Sequence, residues 1–245
     1  MTKAKTTIHS EPPLHKAVRE DDMESFTKLL SESSNFGIQD SNGDNVVNVA
    51  VREGRLDMLK KLAKAADLNA TNKNGEPPLE IAFRSGNAEM VRFLIAEGAD
   101  INVKFKDGST LLHNIVKNAN ELNLLDYALD NGAEIKMQDR RGNTALHYAV
   151  NLAYKNPELR QEFTQIALTL IERAEPAVFT QPNLLRNTCL AIALKTRNED
   201  VLNAMAKKSG LTDVLGTAQS LGKTASNPSL DQPSQRTSSN KAHAR

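Results

Sequence analysis

Apolar residues return along this chain in short clusters, and the clusters themselves return about every 33 residues. The segments Pro13-Leu14-His15-Lys16-Ala17, Val46-Val47-Asn48-Val49-Ala50, Pro78-Leu79-Glu80-Ile81-Ala82, Leu111-Leu112-His113-Asn114-Ile115 and Ala145-Leu146-His147-Tyr148-Ala149 share one pattern. Their last residues lie 33, 32, 33 and 34 apart. A second apolar run follows each cluster. It is clearest in Gly86-Asn87-Ala88-Glu89-Met90-Val91-Arg92-Phe93-Leu94-Ile95-Ala96-Glu97-Gly98-Ala99-Asp100-Ile101-Asn102, and weaker in Gly54 to Leu62 and Leu124 to Leu129. Apolar positions at helical spacing predict two helices per unit. A unit this short cannot enclose its own apolar face, so neighbouring units must stack to bury it.

The polar positions that punctuate these clusters carry matching reasons. Thr110 and Thr144 stand where a helix begins and can cap its free N–H groups, while Pro13 and Pro78 suit a first turn that needs no donor. Ala17, Ala50, Ala82 and Ala149 are small where neighbouring helices press together, and Leu14, Val47, Leu79, Leu112 and Leu146 supply the apolar knob. Gly54, Gly86, Gly98 and Gly132 fall at helix ends that call for positive φ. Asn42-Gly43, Asn74-Gly75, Asp107-Gly108 and Arg141-Gly142 carry tight-turn chemistry between successive units.

The period, the inner-helix segments and the Gly86–Asn102 run together resemble the ankyrin-repeat family. The resemblance implies an all-α solenoid of about six helix-turn-helix units with short β-hairpin-like fingers. It also implies structural hydrogen bonds for His15, His113 and His147 near the inner-helix starts. Leu94 with Asp100-Ile101-Asn102 resembles the context in which such repeats are asparagine-hydroxylated, and equally fits the ordinary repeat pattern.

Along the chain, a flexible tail is expected over residues 1–10 and the repeat domain over 11–215, with five recognisable repeats from Glu11 to about Asn156. The fifth departs from the pattern: Lys155-Asn156-Pro157 opens a longer second helix with Leu159, Phe163, Ile166, Ala167 and Leu170 at helical spacing. Glu175 to Asn187, with Pro176 and Pro182, reads as an ordered insertion loop where a hairpin would connect repeats. Thr188-Cys189-Leu190-Ala191-Ile192-Ala193 then begins a degenerate sixth, capping repeat, with Arg186 where the family prefers Gly. Val201, Leu202 and Met205 supply its outer helix, and Leu211, Val214 and Leu215 a final turn. Residues 216–245 turn to Ser, Thr, Asn, Gln and Lys, with Lys223, Arg236, Lys241 and Arg245 against Asp231, a net +3. Such a segment cannot bury enough surface to order itself. It reads as a disordered basic tail or as an address, since some bacterial effectors with ankyrin repeats carry an export signal in a polar C-terminal tail.

Composition narrows the chemistry. A chain with 4% aromatic residues and no Trp suits the thin contacts of a solenoid better than a large globular core. A net charge of +1 gives no global attraction to nucleic acid or an anionic membrane. One Cys excludes an internal disulfide, and neither a membrane-spanning run nor a secretory leader is evident, so a cytoplasmic protein, or one delivered into a host cell, is expected. The histidines of the repeats are separated by repeat spacing rather than gathered in a pocket, His9 and His243 lie in the tails, and Cys189 matches an apolar position without an activating partner. No Gly-rich phosphate loop occurs. No catalytic residue, metal, cofactor or small-molecule substrate is therefore expected, and the protein reads as a non-catalytic monomer.

The family resemblance directs function to the fingers and the exposed side of the inner helices, a concave groove. Arg52, Lys73, Arg84, Lys104, Lys106, Lys117, Arg140 and Arg141 lie there against Asp44, Glu53, Glu76 and Asp107, a net +4. These cations, with Phe105 between two lysines, form the expected partner-binding surface for a protein with an acidic segment, densest at Lys104, Lys106, Arg140 and Arg141. The same bias would also mark a merely solvated edge, and Phe105 could instead pack on a neighbouring hairpin. Two other functions remain open. Nucleic-acid binding would use the same groove, without a row of stacking aromatics. A regulatory enzyme subunit would use the loop Glu172 to Asn187.

Overall fold

Each repeat folds as the capping and spacing signals dictate. The computed structural model describes residues 11–118 and 123–210. The two expected tails and the last turn at Leu211, Val214 and Leu215 lie outside them. Six helix pairs follow one another: α1 (Pro13–Arg19) with α2 (Met23–Glu32), α3 (Val46–Arg52) with α4 (Leu56–Leu62), α5 (Pro78–Arg84) with α6 (Ala88–Ala96), α7 (Leu111–Lys117) with α8 (Leu125–Asp130), α9 (Ala145–Lys155) with α10 (Arg160–Arg173), and α12 (Cys189–Thr196) with α13 (Glu199–Ser209). A single helical turn, α11 (Ala177–Thr180), precedes the last pair. No β-strand occurs among the described residues. The architecture is an all-α solenoid.

Asp22, Asn45, Asn87, Thr144, Thr188 and Asn198 each accept a backbone N–H three residues on, which satisfies donors the first helical turn leaves free. Pro13 and Pro78 open their helices after Pro12 and Pro77. The inner helices bury Leu14, Val47, Leu79, Leu112 and Leu146 to 8% exposure or less, and Ala17, Ala50, Ala82 and Ala149 to 4% or less. The outer helices add Phe26, Met58, Leu62, Met90, Leu94, Leu170 and Met205 to the same continuous core. Each large buried side chain contributes roughly 1.5–3 kcal/mol of transfer free energy.

The fifth unit corrects two expectations. Its outer helix starts only at Arg160, after a 3-10 turn over Pro157–Leu159, and Leu159 is 42% exposed rather than part of the core. The expected insertion loop is more regular than its sequence suggests: α11 buries Val178 and Phe179, and residues 183–187 then form another finger.

Candidate functional site

One turn, used five times, builds the finger edge. In Asp40–Asp44, Asn72–Glu76, Phe105–Ser109, Asp139–Asn143 and Asn183–Asn187, the first N–H donates to the fifth carbonyl and the fourth N–H to the first carbonyl. Asp40, Asn72, Asp139 and Asn183 reinforce the turn, each accepting the third and fifth N–H groups on one side-chain oxygen at 2.8–3.0 Å. Phe105 cannot do so, and Asp107 accepts from Ser109 N instead. The fourth position has positive φ in every copy, and it is Gly except for Arg186 at +59°. Space adds a second demand: a Cβ on Gly142 would lie 2.8 Å from Leu184 N, and one on Gly108 2.4 Å from Arg140 Cγ. Neighbouring fingers therefore lie directly on these glycines.

Histidines latch inner helices to fingers. His15, His113 and His147 place Nε2 at 3.1, 2.9 and 3.0 Å from the carbonyls of Asp44, Asn143 and Asn187. Nδ1 of His113 and His147 accepts the backbone N–H of Thr110 and Thr144. A carbonyl on one side and an N–H on the other fix the neutral Nε2–H tautomer. Burial lowers the pKa of all three. In the first repeat Pro12 has neither the N–H nor the hydroxyl of the threonine, and His15 Nδ1 has no partner among the described residues. Cys189 Sγ lies 3.2 Å from His147 Nδ1, a polar neighbour its sequence context did not reveal. The thiol is fully buried and pushed up to about 12 by burial, so this contact is structural rather than that of a thiolate nucleophile. Among the described residues, no cluster of three His, Cys, Asp or Glu could hold a metal, and no helix is long and apolar enough to cross a membrane.

The cations expected to bind a partner divide into two sets. Arg52 grips Asp44 with two bonds of 3.0 Å and lies 3.9 Å from Glu76. Arg84 bonds Glu76 at 2.8 Å and lies 3.8 Å from Glu80. Arg19 continues the row with Glu11, Asp40 and Glu53. The hydrogen bonds from Arg84 and Asn72 hold the Glu76 carboxyl down to about 2, while burial raises Glu80, which accepts Lys106 N. Asp44 and Glu76 are buried, so they are partners inside the fold rather than charges free at its edge. Lys117 is engaged as well, 4.5 Å above the Tyr148 ring and 3.9 Å from Asp107.

Lys73, Lys104, Lys106, Arg140 and Arg141 are exposed, and none has a carboxylate within ion-pair distance among the described residues. Lys73 and Lys104 donate to the carbonyls of Ser41 and Gln138. Phe105 is 6% exposed and does not project as an anchor; it is a wall of a cleft of about 490 Å³, shared with Asn74, Gly75, Lys104, Lys106, Gly108 and Arg140. Gly75 has no neighbour where a Cβ would be, and no hydrogen bond joins the fingers 72–76 and 105–109. The structure thus brings Lys104, Lys106 and Arg140 around one opening, with Arg141 on the adjoining fingertip. It keeps Arg52 and Arg84 in a separate, self-paired row.

Sequence reasoning missed the pairing and the fifth fingertip. The pairing had a signal: Glu11–Arg19, Asp44–Arg52 and Glu76–Arg84 are all eight residues apart. The fifth finger had one in Asn183, which occupies the turn position of Asp139. Its tip carries Leu184 and Leu185 at 75% and 80% exposure. Asn102 bridges repeats, accepting Glu134 N and donating to Gly132 O.

Family models described as ankyrin repeats match residues 14–105 and 115–158. A search of curated proteins found no match. Among solved structures, the chain is similar to an ankyrin repeat domain from Acinetobacter baumannii AYE, at 22% identity and a TM-score of 0.66, over 80% of this chain and 97% of that one. It is also similar to a chain in the complex of a predatory endopeptidase from Bdellovibrio bacteriovorus with an immunity protein, at 23% identity and a TM-score of 0.59, over 81% of this chain and 99% of that one.

Proposed function

We propose that this chain, which belongs to the ankyrin-repeat family of protein-interaction scaffolds, receives an acidic segment of a partner protein between its third and fourth repeats. The observation that carries this reading is the cleft where Lys104, Lys106 and Arg140 meet without carboxylate partners, beside Arg141. A partner carboxylate entering there meets donors that no internal ion pair has to release, and Arg140 and Arg141 offer planar forks suited to two-bond contact. Arg52 and Arg84, already committed to Asp44 and Glu76, support the fold at the edge of this surface. Partner recognition rather than catalysis is the role, in the cytoplasm or, if residues 216–245 act as an export address, in a host cell.

Affinity capture from cell lysate, with mass-spectrometric identification, compares the wild type with Lys104→Glu/Lys106→Glu/Arg140→Glu/Arg141→Glu after matched melting curves. A protein retained by the wild type and lost from the variant is the expected result. An identical set of captured proteins would overturn the reading and move recognition to residues 172–187 or the tail.

The similarity to a chain from an endopeptidase–immunity protein complex favours a second reading, in which the captured partner is an enzyme whose activity this protein regulates. Addition of the purified chain to that enzyme would then change its rate. Nucleic acid is disfavoured by the small number of unpaired cations and the burial of Phe105 away from any stacking role.

A further inference from the structure

The fifth finger ends in two neighbouring leucines that the fold leaves almost entirely in water, Leu184 at 75% and Leu185 at 80% exposure. The position is held firmly. Leu184 N donates to Arg141 O at 3.0 Å, Asn183 Nδ2 donates to Asn143 Oδ1 at 2.8 Å, and Gln138 Nε2 donates to Pro182 O at 3.0 Å. Asn183 also binds the turn's own N–H groups of Leu185 and Asn187. The backbone accepts positive φ at Arg186, without the glycine used in the other four turns, and Arg186 is exposed on the same turn. A rigid turn that displays two leucines is ready to bind with little loss of conformational entropy. Arg141 and Arg186 flank the leucines along the chain contacts, and Arg140 continues the cationic edge towards the cleft.

We infer that Leu184 and Leu185 form an apolar anchor point at the end of the basic finger edge, and that the protein segment bound there carries an aliphatic or aromatic residue next to its carboxylates. The inference rests on the acidic-segment reading above and adds a second chemical requirement to it. The occupant is fixed by charge complementarity: Arg141, whose carbonyl holds Leu184 N, and Arg186, next to Leu185 in the turn, have no carboxylate within ion-pair distance among the described residues, so an apolar residue alone would leave them unanswered, and carboxylates alone would leave the leucines in water. Interfaces commonly bury an apolar centre inside a polar rim, and a few well-desolvated residues there carry most of the affinity.

A random peptide library selected on the full-length chain tests this, with Leu184→Ser/Leu185→Ser and Lys106→Glu/Arg140→Glu/Arg141→Glu as parallel baits. Both leucine side chains point to solvent and the turn is held by backbone and Asn183, so the serine variant should melt as the wild type does. The wild type is expected to enrich peptides that combine Asp or Glu with a large apolar residue. Those peptides should bind the serine variant about tenfold more weakly or worse, and the charge-reversed variant should lose the preference for acidic residues. Equal binding to the serine variant would overturn the anchor and leave the acidic reading standing. Unchanged selection on the charge-reversed variant would instead sink the acidic reading, and no enrichment on the wild type would sink both. Three further outcomes overturn the anchor by assigning the leucines elsewhere. These are a sedimenting dimer that the serine variant abolishes, anionic-vesicle binding that it abolishes, and faster hydrogen exchange over residues 211–245 in the serine variant.

Discussion

The first three repeats and the last three present the same turn-and-helix edge with opposite electrostatic outcomes. In the first three, the residue two before the inner helix is acidic and that helix ends in Arg eight positions on: Glu11 with Arg19, Asp44 with Arg52, Glu76 with Arg84. In the fourth and fifth repeats the same two positions hold Ser109 with Lys117 and Asn143 with Asn151. There Lys117 turns to Asp107 and the Tyr148 ring, and Lys106, Arg140 and Arg141 are left without carboxylates among the described residues. A count of charges along the edge is therefore a poor guide to the field it presents. What decides is whether a carboxylate stands at the paired register.

The largest expected effect erases the comparison by removing what both halves share. Leu146→Asp places a charge at a fully buried position between repeats and should cost about 4 kcal/mol or more, taking neighbouring repeats with it in a circular-dichroism melt. An unchanged transition would refute the helix packing described above. The next effect is a titration. Burial lowers the pKa of His15, His113 and His147 in the fold, so the unfolded chain binds protons more readily near its ordinary value of 6.5. Stability is then fully present above that pH and falls as the pH drops through it. Melting temperature should decline from pH 7.5 to 5, and His113→Gln should flatten the decline; a flat profile in the wild type would contradict the latched, neutral imidazoles. The smallest effect separates the halves. Arg84→Met removes a half-exposed partner from buried Glu76 and should cost about 1–2 kcal/mol, whereas Arg140→Met/Arg141→Met should stay within about 0.5 kcal/mol. Denaturant titration of both variants checks this, and equal losses would abolish the distinction between the two edges.

The repeat period, helix pairing and inner-helix contacts were legible in the sequence because they depend on local spacing and on small or apolar residues recurring at fixed intervals. Pro13, Pro78, Thr144 and the buried Leu and Ala positions behave as those intervals demand. The fifth finger was hidden because its fourth residue is Arg186, and the usual glycine signal for positive φ is missing; the conformation is imposed by Asn183 and by contact with the preceding finger. The ion pairs were hidden for another reason. Nothing in the local composition says that Asp44 and Glu76 are buried: Asn72 of the next finger reaches back to Asp44 at 2.8 Å, and within its own turn it bonds Glu76 at 2.9 Å. Phe105 likewise reads as a tip residue between lysines, yet it fills the first position of its turn, where the other fingers use Asp or Asn, and so turns inward.

The unbonded gap between the fingers 72–76 and 105–109 has a mechanical meaning. On either side the fingers are bonded or packed: Lys73 N donates to Gly43 O at 2.9 Å before it, while after it Arg140 packs on Gly108 and Leu184 N donates to Arg141 O at 3.0 Å one finger further on. Across the gap, the fingertip of the fourth repeat is held back by Lys106 N on the Glu80 carboxylate at 2.9 Å. Stiffness along the finger edge is thus uneven, and the edge has a compliant joint at Gly75. Bending the solenoid would open or narrow that joint before it strained the bonded fingers, so the occupancy proposed for that cleft and the curvature of the whole spine would be two readings of a single spring.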